Sequence, residues 1–105
     1  MTMMEMQKKV ARFVAENHLE TSVETRLLDL VSEIGELSKV LLKGTSYGKE
    51  KLAVSDQWKE EFGDVLFSLI CIANSTGIQM QDALETVLAK YNRRMQHKGD
   101  ISSGE

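Results

Sequence analysis

The sequence contains no proline. Proline breaks helix interiors, so its absence suits a chain made of long helices. Cysteine occurs once, at Cys71, which excludes an internal disulfide. It lies in the apolar run Leu66-Phe67-Ser68-Leu69-Ile70-Cys71-Ile72-Ala73 and reads as a buried core thiol. With one cysteine, and with His18 and His97 near segment ends, no cysteine-histidine zinc spacing exists. No apolar stretch approaches the roughly 20 residues of a membrane span, so no membrane partner is expected. Met1 to Lys9 lacks the apolar stretch of a signal peptide, which makes a cytoplasmic location the default expectation. Positive charge is not in excess: 13 Lys and Arg stand against 16 Asp and Glu, a net charge of −3. That argues against a surface for wrapping a nucleic-acid polymer, which needs clustered cations. It leaves a nucleotide ligand open, because bound metal ions reverse the local sign.

What is present is enough for one domain. A chain of 105 residues buries roughly 60–70% of its surface by size scaling, so a partner subunit would help it. The expected domain is 1–98, with 99–105 as a flexible tail that has no apolar face. Periodicity predicts four helices and no strand. The first runs from about Met4 to Asn17, with Met6, Val10, Phe13 and Val14 as its stripe. The second runs from about Ser22 to Lys43, with Thr21 and Glu24 at capping-box spacing and Gly44 as its stop. Val23, Leu27, Leu30, Val31, Ile34, Leu37 and Leu41 share one of its faces. A polar loop from Gly44 to Lys51, extending as far as Ser55, is long enough to be functional. The third helix runs from about Asp56 to Ser75, with Trp58, Phe62, Val65, Leu66, Leu69, Ile72 and Ala73 as its stripe. The fourth runs from about Met80 to Gln96, with Met80, Leu84, Val87, Leu88, Tyr91 and Met95 as its buried face.

The two central helices each carry acid-x-Gly-acid: Glu33-Ile34-Gly35-Glu36 and Glu61-Phe62-Gly63-Asp64. Acids three apart are offset by about 60° and stack on one helix face, where like charges repel. One such pair reads as a solvated acidic face. Two matching pairs that flank apolar stripes on neighbouring helices point to convergence beside a shared seam. Partly buried carboxylates are costly without a cation or stay protonated. A hard divalent ion resolves this, and Mg²⁺ favours a few carboxylates with waters and phosphate oxygens, with Mn²⁺ as a substitute. Gly35 and Gly63 each cost about 1 kcal/mol against alanine in a helix interior. Close helix crossing and room for a ligand explain them equally well.

Glu33-Ile34-Gly35-Glu36-Leu37, followed by Glu60-Glu61-Phe62-Gly63-Asp64-Val65-Leu66-Phe67, resembles the MazG-like family of all-α nucleoside triphosphate pyrophosphohydrolases. Gly77-Ile78, Ala83-Leu84 and Lys90-Tyr91-Asn92-Arg93-Arg94 resemble that family's last helix, so the likeness spans roughly Leu27 to Arg94. The resemblance implies an α-helical, four-helix bundle-type fold completed by dimerisation or tetramerisation. It also implies Mg²⁺-dependent cleavage of nucleoside triphosphates between the α and β phosphates, with the carboxylates bridging metal to phosphate. Glu33, Glu36, Glu61 and Asp64 become the expected catalytic and metal-binding residues. The sequence departs from the family pattern at Ser32, where a second acid often stands, and at Leu88, where an asparagine is often found; Asn92 lies one turn later and is the candidate in its place.

The remaining phosphate charge needs cations. Lys43, Lys49 and Lys51 frame the polar loop, and Lys90 and Arg94 share a face of the fourth helix. Arg93 fits the helix dipole instead. Trp58 opens the third helix, where it either stacks on a base or packs in line with Phe62 and Val65. The expected substrate-binding set is therefore Lys43, Trp58, Lys90, Asn92 and Arg94. The expected role is house-cleaning of nucleoside triphosphates. Phosphoribosyl-ATP pyrophosphohydrolase is the enzymatic alternative, disfavoured because Val65-Leu66-Phe67-Ser68 lacks the Tyr-His typical there. A non-catalytic helical oligomerisation module is the other alternative, and the four intact acids speak against it.

Overall fold

A computed structural model describes residues 1–98; the 99–105 tail lies outside the described residues. Four helices account for the described fold: α1 (Met3–Glu16), α2 (Val23–Gly44), α3 (Asp56–Ser75) and α4 (Met80–Lys98). No strand occurs among the described residues. Each of the first three helices begins at a hydroxyl N-cap. Thr2 caps α1 with a full capping box to Glu5. Ser22 caps α2, its Oγ accepting from the Thr25 N–H at 3.1 Å, one residue beyond the expected Thr21 box. Ser55 caps α3, accepting from the Trp58 N–H at 3.1 Å.

Helices α1 to α3 also end alike. In each, the residue after the C-cap is left-handed: His18 at φ 55°, Ser46 at φ 51° and Gly77 at φ 70°. The next amide then reaches back five residues, as in Leu19 N to Val14 O at 2.9 Å, Tyr47 N to Leu42 O at 2.7 Å and Ile78 N to Ala73 O at 2.9 Å. This is the Schellman arrangement, and only the third uses the glycine that makes it cheap. Gly44 does not stop α2 through its backbone freedom. A Cβ there would meet Leu52 Cδ1 at 2.9 Å, so the residue is small because the loop returns over it.

The packing is led by α2 against α3, with α1 laid against α3. Arg26 meets Phe67, and Glu33 meets Asp64 and Glu61, so α2 and α3 run antiparallel. Helix α4 leaves α3 at 99° and packs against α1. Gln7 secures that corner. Its Nε2 donates to Ile78 O at 2.8 Å and Asn74 Oδ1 at 3.1 Å, and its Oε1 accepts from the Met80 N–H at 2.9 Å. Truncation of Gln7 to Ala leaves several of these groups without partners. It is expected to destabilise the protein by about 2 kcal/mol in a urea titration.

The apolar stripes are only half used within the chain. On α2 the inward line is Arg26, Leu30, Glu33, Leu37 and Val40. The rest of the expected stripe faces outward: Leu27 is 53% exposed, Val31 62% and Ile34 47%. The corresponding corrections on the other helices are Phe62 and Leu69 on α3, and Leu84, Leu88 and Met95 on α4, all exposed. Hydrophobic periodicity reports that a face avoids water. It does not report whether its own chain covers it. The buried apolar core is small, comprising Val40, Ile70, Cys71 and Ala73 among the described residues. The radius of gyration, 16.8 Å, exceeds the roughly 13 Å of a closed domain this long. No single helix among the described residues is long and apolar enough to cross a membrane.

Candidate metal and nucleotide site

The antiparallel seam brings three of the four expected carboxylates together. One oxygen from each of Glu33, Glu61 and Asp64 lies within 4.8 Å of the others. Glu33 comes from the inward line of α2. Glu61 and Asp64 come from one turn of α3, where their spacing stacks them on the face that meets α2. Glu33 and Glu61 are half-buried and Asp64 is exposed, so the group opens on one side to solvent. Burial pushes the Glu33 carboxyl up from its ordinary value. The Asp64 charge and its hydrogen bond raise it further, followed by the charges of Glu61 and Glu36. Glu36 is thus close enough to be felt, but its carboxylate lies outside the trio and meets Lys39 Nζ at 3.7 Å.

An all-oxygen set of mutually repelling carboxylates fits a hard divalent cation. No cysteine or histidine stands in the group to favour a softer metal. Gly35 and Gly63, inside the two acidic pairs, do not serve helix crossing within the chain. A Cβ at either would meet nothing within 4 Å. The room they leave is therefore open to a ligand or to another chain.

The expected cations lie elsewhere. Lys43 is exposed in the last turn of α2. Lys90, Asn92 and Arg94 are on α4, whose main packing is on α1, while the acids are carried by the α2–α3 pair. Lys90 Nζ sits 5.5 Å from the Tyr91 ring centroid, Asn92 is exposed, and Arg94 is half-buried with a partner. Trp58 is half-buried in the first turn of α3. Beside the trio the structure puts Arg26 and Asp29. A cleft of about 200 Å³ is lined by Arg26, Asp29, Ser32, Glu33, Asp64 and Phe67. Neither Arg26 nor Asp29 was singled out by sequence reasoning. The available signal was an arginine near a helix N-terminus, where the dipole disfavours a cation, and seven residues before Glu33 on the same face.

A helical seam holding clustered carboxylates beside a cleft is compatible with metal binding, and the comparisons specify the family. A model of the MazG nucleotide pyrophosphohydrolase domain matches residues 21–99. The uncharacterized protein YpjD of Bacillus subtilis (strain 168) is 36% identical over 97 residues, covering 89% of this chain and 86% of YpjD. The solved structure of a Bacillus-conserved MazG protein, a nucleotide pyrophosphohydrolase, is 33% identical with a TM-score of 0.74, covering 88% of this chain and 90% of that one. The structure of the putative pyrophosphatase YPJD from Bacillus subtilis is 31% identical with a TM-score of 0.76, over 97% of both chains. The chain belongs to the MazG nucleotide pyrophosphohydrolase domain family. It is accordingly an enzyme of phosphoanhydride hydrolysis.

Proposed function

We propose that this protein is a Mg²⁺-dependent pyrophosphohydrolase that cleaves nucleoside triphosphates between the α and β phosphates, releasing a monophosphate and pyrophosphate. The observation that carries the reading is the convergence of Glu33, Glu61 and Asp64 within 4.8 Å. Those three residues would hold the metal, with Glu36, one turn from Glu33, as the fourth proposed ligand. The ion, with Mn²⁺ as substitute, would supply charge neutralisation on the phosphates and activation of the attacking water. The carboxylates of α2 orient the attacking water and take its proton. Water adds to phosphorus, the bridging α–β bond breaks, and the leaving oxygen departs with pyrophosphate. Lys43, Trp58, Lys90, Asn92 and Arg94 remain the proposed substrate contacts, with the α4 residues supplied across a subunit boundary.

The proposed assembly is a homodimer or homotetramer. Its support is the outward apolar face, on which Leu28 is 70% exposed, Val31 62% and Phe62 55%. Isolated apolar residues on a surface are ordinary, but a continuous helical face marks an interface. Light scattering is expected to give two or four times the 11.8 kDa chain mass. Val31→Glu is expected to shift the population towards single chains.

The proposed role is house-cleaning of triphosphates. The test is a panel of ribo, deoxy and oxidised nucleoside triphosphates with Mg²⁺, reading out pyrophosphate. Release from one or more of them, with the matching monophosphate, is the expected result. Release of orthophosphate instead would place cleavage at the wrong bond and contradict the reading.

A further inference from the structure

Arg26 is nine-tenths buried, at 9% exposure, yet no carboxylate lies within ion-pair distance of it among the described residues. Its Nη2 donates to Leu19 O at 2.6 Å, and its guanidinium carbon lies 5.9 Å from the Phe67 ring centroid. Both partners are formally neutral. A guanidinium carries five N–H donors, and the Leu19 contact uses one of them. No fully sealed side-chain nitrogen among the described residues lacks a partner, so the unused donors of Arg26 face open space. That space is of two kinds. In front is the cleft of about 200 Å³ that Arg26 shares with Asp29, Glu33 and Asp64. Behind it is a cavity of about 210 Å³ lined by Ala11, Val14, Glu20, Thr21, Cys71 and Asn74.

A buried cation held in no ion pair is costly, and Arg26 makes none although Glu20, Asp29, Glu33 and Asp64 line the same two spaces, which leaves its unused donors to a ligand. We propose that Arg26 is a phosphate-binding residue of this site, donating its fork to oxygens of the triphosphate and of the pyrophosphate product. The inference rests on the pyrophosphohydrolase reading above and adds a residue to it. Arginine matches phosphate bidentately, where lysine offers only a point charge. The left-handed turn at His18 aims the Leu19 carbonyl at Arg26, and Phe67 supports the guanidinium plane, so the fork is held before the ligand arrives. The three carboxylates would repel phosphate by themselves. A divalent ion would offset two of their charges, and Arg26 would add a further positive charge to the cleft it shares with them.

The test measures binding of inorganic pyrophosphate in the presence of Mg²⁺ by calorimetry, alongside steady-state kinetics, for wild type, Arg26→Lys and Arg26→Met. Arg26→Met is expected to bind pyrophosphate at least about 10-fold more weakly, and its kcat/KM for triphosphate to fall about 100-fold, with KM raised. Arg26→Lys is expected to recover part of both. Mg²⁺ binding without pyrophosphate should be unchanged in each variant. A role confined to holding the Leu19 turn would lower the melting temperature and leave the pyrophosphate affinity of the folded protein untouched. That result in either variant overturns the inference and leaves the pyrophosphohydrolase reading standing. A wild type that releases pyrophosphate from no triphosphate overturns both.

Discussion

Glu61→Gln is expected to reduce kcat by more than about 100-fold while leaving the helical circular-dichroism signal nearly intact. Glu61 is half-buried and contributes an oxygen to the trio with Glu33 and Asp64, all within 4.8 Å. The amide keeps the size and one carbonyl oxygen, so packing between α2 and α3 should survive. It removes the charge that a divalent ion requires. Changes to groups that merely orient a ligand already cost about 10–100-fold in metal affinity or activity. Loss of a ligand charge should cost at least the upper end of that range. The effect should appear in kcat more than in KM, because stabilisation of charge at the breaking bond is what disappears. Steady-state release of pyrophosphate at saturating Mg²⁺ gives the comparison.

Glu33→Gln should act on stability in the opposite sense. The Glu33 carboxyl is raised by burial first, then by Asp64, Glu61 and Glu36. A carboxyl raised in the folded state binds more protons folded than unfolded between the two values. Stability of the metal-free protein therefore falls as pH climbs from the ordinary carboxylate range through the raised value. Glu33→Gln removes the repelling charge. The metal-free variant is expected to melt higher than metal-free wild type at neutral pH and to lose that part of the pH slope. The two proteins should then part company on adding Mg²⁺. A ligand at about ten times its Kd stabilises a folded protein by about 1.4 kcal/mol, or about 6–10 °C for a domain of this size. Wild type should show that rise and Glu33→Gln should not. Thermal melts across pH, with and without Mg²⁺, read both effects.

Much of this arrangement is legible in the residues. The expected span of α3 agrees with its observed bounds at both ends, because Ser55 and Gly77 bracket an uninterrupted apolar period. The cap of α2 moved by one residue, from Thr21 to Ser22, since either hydroxyl can accept from the first turn. The convergence of Glu33, Glu61 and Asp64 followed from two i, i+3 pairs on adjacent helices. Glu36 differs from its partner in the motif because it sits on the outer side of α2, where Lys39 answers it.

What the sequence did not reveal has two physical causes. Leu27, Val31 and Ile34 have the same hydropathy signal as Leu30 and Leu37, yet only the latter two point at α3. Transfer from water is non-directional, so it cannot say which neighbour covers a face. The second cause is that charge at a helix edge reads as surface. Arg26 repeats in phase with Leu30, Glu33, Leu37 and Val40, and it is more buried than Leu30, Glu33 or Leu37. An arginine on an inward line is visible only when the line itself is known.

The central claim is that the α2–α3 seam holds a divalent ion through Glu33, Glu61 and Asp64. A crystal of the protein grown with Mn²⁺, collected for anomalous scattering from manganese, tests it most directly. The expected result is a peak bonded to oxygens of those three side chains, absent when Glu61→Gln is crystallised in the same way. Turnover by a protein whose manganese sits elsewhere, with the three carboxylates bound only by water, would contradict it.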